Sequence, residues 1–364
     1  MAFENVSETA IHDDLESPSP KHVPAHDIKP PVDLTDLMLF TKGQPFEAYK
    51  AMRETAPVMW HPEEYGAGFW ALTSYDDVKA TELNTKVFSS QRGGIMMNYG
   101  QPDSARHPLL HRASLDTMIC LDQPYHMPLR REHMSFFTPA YVADLKKKVD
   151  IKVDQLLDAM EAKGGEVDLV ENFSAELPLF TLCELLGVDE ADRPKLIKWM
   201  HYLELASYTV AQQELGDIDP VFLGEFLQNV QDMFDYGQAV LKARRAEPRS
   251  DLLSAIANAK IDGEPLSDEF LDGSWLLIVF AGNDTTRNSL SGTMKLLTEN
   301  PDQRQKLLAD ESLYPNFVHE AIRLVSPVVY MRRTATEDTQ IGEQKIAEGE
   351  KVVMYYGAAN RDPD

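Results

Sequence analysis

Trp275 to Ser289 reads WLLIVFAGNDTTRNS. An apolar run, Trp275 to Ala281, passes without a break into an acid, Asp284, and two hydroxyls, Thr285 and Thr286, and no residue in the stretch stops a helix. The start of that helix is marked upstream, where Ser267 is a good N-cap and Asp268 and Glu269 place acids at the positive helix end. A long central helix with a polar step in its buried middle follows. Leu277, Ala281 and Thr285 are four apart and form one stripe, with Gly282 allowing close approach on the neighbouring side. Such a stripe can lie against a flat ligand. A hydroxyl there can bond back to the preceding turn and bend the helix, and an acid beside it can hold a proton path open. A hinge or a solvent-facing step accounts for the same residues without a ligand.

Outward from this helix, Pro124 to about Asn300 is almost wholly helical in period, broken at Gly164-Gly165, at Gly187, between Gly216 and Pro220, and at Pro248. KIDGEPLS, Lys260 to Ser267, is a hairpin-like break. After Ser326-Pro327 the texture changes to short alternating strands: VVYMRRTA, TQIG, QKIAEG and KVVMYYG. Near the start, PFEAYKAMRET (Pro45 to Thr55) is helical, GFWALTS (Gly68 to Ser74) is a strand, and YDDVKATELN is helical again. The predicted fold is mainly α with a smaller β portion, α+β, as one domain over residues 32–364 around one long helix. Val87 to Thr117 reads as a long irregular loop, a candidate lid. Its Met96 and Met97 suit an irregular apolar ligand, and tucking into the core suits them equally.

A net charge of −24, from 35 basic and 59 acidic residues, argues against nucleic acid and anionic membrane surfaces as partners. The longest apolar run is far short of the roughly 20 residues a spanning helix needs. Residues 1–31, with SPSPKHVPAHDIKPP, have no signal segment and are rich in proline and acids, which predicts a disordered arm on a soluble, cytoplasmic protein. Cys120 and Cys183 are too few and too isolated for a disulfide framework or a cysteine-based zinc site.

Two further constellations stand out. Glu320 and Arg323 are three apart, within reach of each other on a helix that ends at Ser326-Pro327 and leads to the basic pair of YMRRTATED. The same spacing at Glu190 and Arg193 reads as a surface pair. In DQPYHMPLRREH, His126 and Arg130 are four apart and face one way from a helix capped by Asp122, which suits a carboxylate-bearing ligand. HEAIR begins like a zinc peptidase motif, but Arg323 stands where the second imidazole must be, and a guanidinium cannot ligate zinc. NDTTR has the outline of a terpene-cyclase magnesium motif, but Arg287 occupies the position that needs an oxygen ligand. A non-catalytic helical interaction protein remains as an alternative.

In combination these residues resemble the cytochrome P450 monooxygenases, in particular the soluble, ferredoxin-served bacterial kind. The family's central-helix motif stands as Ala281, Gly282, Asn283, Asp284, Thr285, Thr286, and its E-x-x-R helix as Glu320 to Arg323. The R-x-A-T-x-D strand stands as Arg333 to Asp338, the D-P-P-x-H-x-x-x-R opening as Asp122, Gln123, Pro124, Tyr125, His126 and then Arg130, and the phrase after the last core strand as AANRDP, Ala358 to Pro363. The resemblance runs from about Pro45 to the last residue, in order.

The resemblance implies a haem b cofactor, dioxygen as co-substrate, and electrons from NAD(P)H through a ferredoxin and its reductase. It implies that Asp284 and Thr285 relay protons to dioxygen, that His126, Arg130 and Arg333 hold the haem propionates, with Ala281 and Gly282 against the ring, and that Glu320 and Arg323 are structural. Leu277, Ala281, Val328, Val329, Met96 and Met97 then border the substrate. GNDTTRNS, MRRTA and KVVMYY look most like enzymes that hydroxylate alkane or fatty-acid termini or sterol side chains, and a monomer acting on an apolar substrate, a terpene included, is expected. Arg130, Arg131 and Lys146 to Lys148 are candidates for a basic docking face, a solvated face being the plain alternative for the lysines. The iron ligand of the family is a cysteine in a glycine-rich loop roughly 50 residues past the RDP phrase. It therefore falls after Asp364, so neither Cys120 nor Cys183 is assigned to the metal. The expectation is a piece of a longer protein, or an inactive fragment.

Overall fold

The structure, a computed structural model, describes residues 19–64, 66–97, 107–212 and 219–364, without the side chains of 206–212. In chain order its elements are α1 (Phe46–Thr55), β1 (Val58–His61), β2 (Phe69–Leu72), α2 (Tyr75–Leu83), β3 (Phe88–Ser89), α3 (Pro108–Leu115), α4 (His126–His133), α5 (Pro139–Lys163), α6 (Glu176–Leu186), α7 (Arg193–Gln212), α8 (Pro220–Ala246) and α9 (Leu252–Asn258). The hairpin β4 (Lys260–Ile261) and β5 (Glu264–Pro265) leads into α10 (Asp268–Glu299). Then come α11 (Pro301–Ala309), α12 (Tyr314–Val325), β6 (Tyr330–Ala335), β7 (Thr339–Ile341), β8 (Gln344–Ile346), β9 (Lys351–Tyr355) and α13 (Tyr356–Ala359).

The predicted mainly α architecture with a small β portion is what the chain adopts. α10 starts as expected: the Ser267 side chain accepts from the Phe270 amide at 3.3 Å. Its first half is buried because two glycines let neighbours close on it. A Cβ on Gly273 would lie 1.7 Å from the Asp116 carbonyl oxygen beside α3, and one on Gly237 of α8 would lie 2.6 Å from the Trp275 ring. Trp275 is 1% exposed and donates its indole N–H to the Met233 carbonyl at 3.1 Å. Burying an aromatic of this size stabilises the helical core by about 3 kcal/mol or more.

The five-stranded sheet has the order β1-β2-β9-β6-β3, with β2 and β9 parallel and the other pairs antiparallel. Its central strands β2 and β9 are buried throughout. Two smaller cores flank it, one holding Leu34, Tyr49, Met97 and Tyr355 and the other Val58, Trp70, Ile346 and Val352.

Several expectations are corrected. The arm predicted as disordered over 1–31 is built into the domain over part of its length, and residues 1–18 lie outside the described residues. Lys21 donates its amide to Glu350 at 2.6 Å and its Nζ to the Glu348 carbonyl at 2.7 Å, and the Ala25 amide reaches Gln344 at 2.9 Å. Proline and acid content signalled disorder, whereas the β7–β8 region supplies partners that composition does not reveal. The long loop contains β3 and α3, the latter with Pro108 at its first turn, and residues 98–106 lie outside the described residues. Asp122 does not cap α4 with its side chain; that carboxylate bonds Ser89 and the Ser90 amide and ties the helix entry to β3. KVVMYYG ends as a strand at Tyr355 and turns into α13.

Candidate active site

Along α10 the residues are buried from Phe270 through Trp275 and again at Val279; then Phe280, 42% exposed, and Ala281 and Gly282 come to the surface. Three hydroxyls on this stretch bond back into the helix: Thr285 to the Ala281 carbonyl at 2.9 Å, Thr286 to Gly282 at 3.5 Å, and Ser289 to Thr285 at 2.8 Å. Each adds an acceptor demand to a carbonyl already used by the ladder, which loosens the helix at this step. Gly282 faces Leu182 of α6, whose side chain would lie 3.0 Å from an added Cβ, so its role is close helix packing as well as openness. Asp284 is held on both carboxylate oxygens, by Arg287 Nη2 at 2.6 Å and Asn288 Nδ2 at 3.1 Å. The other arm of Arg287 bonds Glu204 on α7.

His126, half-buried, and Arg130, exposed, share a face of α4, and neither makes a side-chain hydrogen bond or ion pair among the described residues. Arg333 is placed differently. Its Nη2 pairs with Glu82 at 2.9 Å and its Nη1 bonds the Arg332 carbonyl at 2.9 Å. A propionate contact there therefore requires an exchange of partners. Leu277, Val328 and Val329 are half-buried; Val329 also packs into the core beside Leu34. The two methionines divide: Met96 is 55% exposed, while Met97, 8% exposed, is a core residue, which corrects its assignment to a substrate pocket.

Glu320 and Arg323 form the expected pair, with Nε to Oε2 at 2.8 Å, and Arg323 also donates to the Asn360 carbonyl. The segment after β9 is further fastened by Arg53 on the Ala358 carbonyl at 2.9 Å and by Asn360 on Ser326 Oγ at 2.9 Å. Cys120 and Cys183 are fully buried, and burial pushes both thiols up to about 11, so neither is a thiolate at neutral pH. Lys146, Lys147 and Lys148 are paired with Asp150, Asp144 and Glu184, each at 2.6 or 2.7 Å, which fits a solvated face. Among the described residues no helix is long and apolar enough to cross a membrane.

The residues present fit a flat, apolar, dianionic cofactor: His126 and Arg130, without side-chain partners among the described residues, share one helix face, and a small-residue step is exposed in a buried helix. Two partners lay beyond sequence reasoning, Glu204 and Glu82. Arg287 was legible as three residues from Asp284, but its reach to α7 is a tertiary fact.

The family profile described as cytochrome P450 matches residues 105–364. Over 342 residues the chain is 34% identical to linalool 8-monooxygenase of Pseudomonas putida, covering 91% of this chain and 79% of that protein. It is 33% identical over 366 residues to the methyl-branched lipid omega-hydroxylase of Mycobacterium tuberculosis, covering 97% and 81%. Cytochrome P450 CYP268A2 of Mycobacterium marinum, solved in complex with pseudoionone, superposes with a TM-score of 0.79 at 31% identity, covering 93% of this chain and 82% of that one. The family match and these relatives define a haem-dependent oxidoreductase of the monooxygenase class. The chain belongs to the cytochrome P450 family.

Proposed function

We propose that this protein inserts one atom of dioxygen into an unactivated C–H bond of a long or branched apolar substrate, with electrons from NAD(P)H through a ferredoxin and its reductase. The observation that carries the reading is the placement of Asp284 and Thr285 at the point where a buried helix opens into the exposed step Phe280 to Gly282. The haem, when bound, supplies the activation of dioxygen, and the protein supplies protons and position. The other oxygen atom leaves as water, so protons must reach it at a controlled rate. Thr285 can turn its hydroxyl from the Ala281 carbonyl toward the site, and Asp284 can pass it a proton from the solvent side.

His126 and Arg130 hold the propionates by charge-assisted bonds. Arg333 joins them if it releases Glu82. Leu277, Ala281, Val328 and Met96 border the substrate, and these apolar side chains suit the classes named for its relatives, a terpene alcohol and a methyl-branched lipid. Arg131, exposed beside Arg130 and without a partner among the described residues, is the remaining local cation for an acidic electron donor. The test is T285A in haem-loaded protein: substrate affinity holds, while NAD(P)H consumption diverts to peroxide. Unchanged product yield per NAD(P)H in that variant rejects the relay.

A further inference from the structure

Trp275 of α10, Tyr236 of α8 and Trp199 of α7 form one run of rings. The centroids are 5.8 Å apart from Trp275 to Tyr236 and 5.3 Å apart from Tyr236 to Trp199, close enough for the π-systems to couple. Trp275 is 1% exposed and stands six residues before Ala281, about 9 Å upstream of the open step along the helix axis. Tyr236 is half-buried and, with Lys195, Lys198, Trp199, Asp232 and Asp235, lines a surface hollow between α7 and α8. The run therefore leads from the buried part of α10 to solvent. At its outer end the Tyr236 hydroxyl donates to Asp192 Oδ2 at 3.0 Å, and Lys195 Nζ holds the other oxygen of Asp192 at 2.7 Å while lying 5.4 Å from the centroid of the Tyr236 ring.

We propose that Trp275 and Tyr236 form a one-electron relay that carries an unspent oxidising equivalent from α10 to the surface hollow, where a small carboxylate-bearing thiol quenches it. This rests on the monooxygenase reading above, whose chemistry supplies the oxidant when no substrate consumes it. The hydrogen bonds set the direction. Trp275 donates its indole N–H to the Met233 carbonyl, which does not take up a proton, so an oxidised Trp275 stays a cation and a strong oxidant. Tyr236 has a carboxylate instead. Burial, with that carboxylate, keeps the phenol protonated far above its usual range, so it gives up its proton to Asp192 only as it gives up an electron. The Lys195 ammonium over the ring opposes a positive charge left there, which favours losing electron and proton together. Trp275 is thereby refilled and Tyr236 becomes a neutral radical. One thiol returns the electron, Asp192 returns the proton, the thiol proton goes to water, and two thiyl radicals so formed join as a disulfide. Lys198, without an ion pair among the described residues, gives the hollow a cation for the carboxylate of that thiol. The ring pair Tyr49 and Tyr355 lacks such an exit at Tyr49, whose buried hydroxyl has no partner among the described residues.

The test uses haem-loaded, full-length enzyme mixed with a peroxyacid in the absence of substrate, freeze-quenched and read by electron paramagnetic resonance, with ring-deuterated tyrosine to assign the signal. The tyrosyl signal should be lost in Tyr236→Phe and reduced several-fold in Asp192→Asn, while Tyr49→Phe leaves it unchanged. A readout independent of haem chemistry is radiolysis of the same enzyme with azide radicals, which oxidise indoles: the indolyl absorbance should lose its fast decay in Tyr236→Phe. With NAD(P)H and no substrate, haem bleaching should be several-fold faster in Tyr236→Phe, and added cysteine should slow it in the unaltered enzyme only. A tyrosyl signal and a fast indolyl decay that both persist in Tyr236→Phe overturn the relay. A fast decay that depends on Tyr236, joined to a peroxyacid signal that does not, overturns its link to the haem. Equal bleaching of the two enzymes, with cysteine or without, overturns the draining role. A signal that moves to Tyr236 in an enzyme yielding no oxygenated product supports the relay and counts against the monooxygenase reading alone.

Discussion

Arg333 of β6 and Glu82 of α2 meet across 251 residues of sequence, Nη2 to Oε2 at 2.9 Å, with the guanidinium only 10% exposed. The other oxygen of Glu82 accepts from the Tyr356 hydroxyl, and burial together with that carboxylate pushes the Tyr356 phenol far above its usual range. Glu82 therefore neutralises the cation that family resemblance assigns to a propionate. Replacing Glu82 with Gln should cost the haem-free chain about 1–3 kcal/mol, because a mostly buried cation loses its partner. The same change should slow haem dissociation, since Arg333 then gains by pairing with a propionate. Urea unfolding of the haem-free chain and haem-loss rates of the loaded one check the two signs.

Acid stability should depend on His133. Its side chain is 6% exposed, its Nε2 has no partner among the described residues, and burial pulls the imidazole down to about 4. The unfolded chain takes up this proton near pH 6.5 and the folded chain only near 4, so the contribution is complete above about 6.5 and is lost as pH falls toward 4. The loss amounts to up to about 3 kcal/mol. His133→Leu should flatten the stability profile across that window, as read by denaturant midpoints at a series of pH values.

Gly273→Ala should be among the most damaging single methyl additions in the chain. The added Cβ meets the Asp116 carbonyl oxygen at 1.7 Å, and backbone on both sides leaves no flexible side chain to yield. A loss of about 3 kcal/mol and faster proteolysis within residues 107–117 are expected, because α3 must lift from α10.

Arg323→Ala and Glu320→Gln should separate two effects. As an exposed ion pair the two residues contribute no more than about 1 kcal/mol to stability, so Glu320→Gln should leave the unfolding midpoint nearly unchanged. Arg323 also holds the Asn360 carbonyl, and its removal should loosen the segment after β9 and lower the haem bound per chain, measured by absorbance against protein content. Full haem loading in Arg323→Ala would count against this assignment.

The elements that were legible in the sequence are those whose causes are local. The cap at Ser267, the β4–β5 hairpin, the helical period through α10 and the alternation from Tyr330 onward depend on residues within one or two turns of each other. β1 was missed because VMWH is four residues long and pairs with β2 only after the chain has turned back. α3 was missed although Pro108, the first residue of PLLHRASL, is a helix-start signal, since the glycines before it dominated the reading.

At the candidate site, the Glu320–Arg323 pair and the shared face of His126 and Arg130 follow from helical spacing, while Asp284 and Thr285 are picked out by the family resemblance of the helix that carries them. Their partners on other elements follow from neither. Met96 and Met97 are indistinguishable by type, and only the packing of Met97 beside Leu34 and Tyr355 puts one in the core and leaves the other out. Glu204, Glu82 and Asn360 are unremarkable acids and an amide in sequence, and each becomes part of the site when a distant arginine reaches it.

By itself the sequence determined most of the helices, the cap at Ser267, the polar step in α10 and the family to which its motifs point, because capping, periodicity and i to i+4 geometry act within a few residues. Only the tertiary structure decided which charges are neutralised and by whom, since an arginine side chain spans several ångströms to any carboxylate that folding brings near, whatever their separation along the chain.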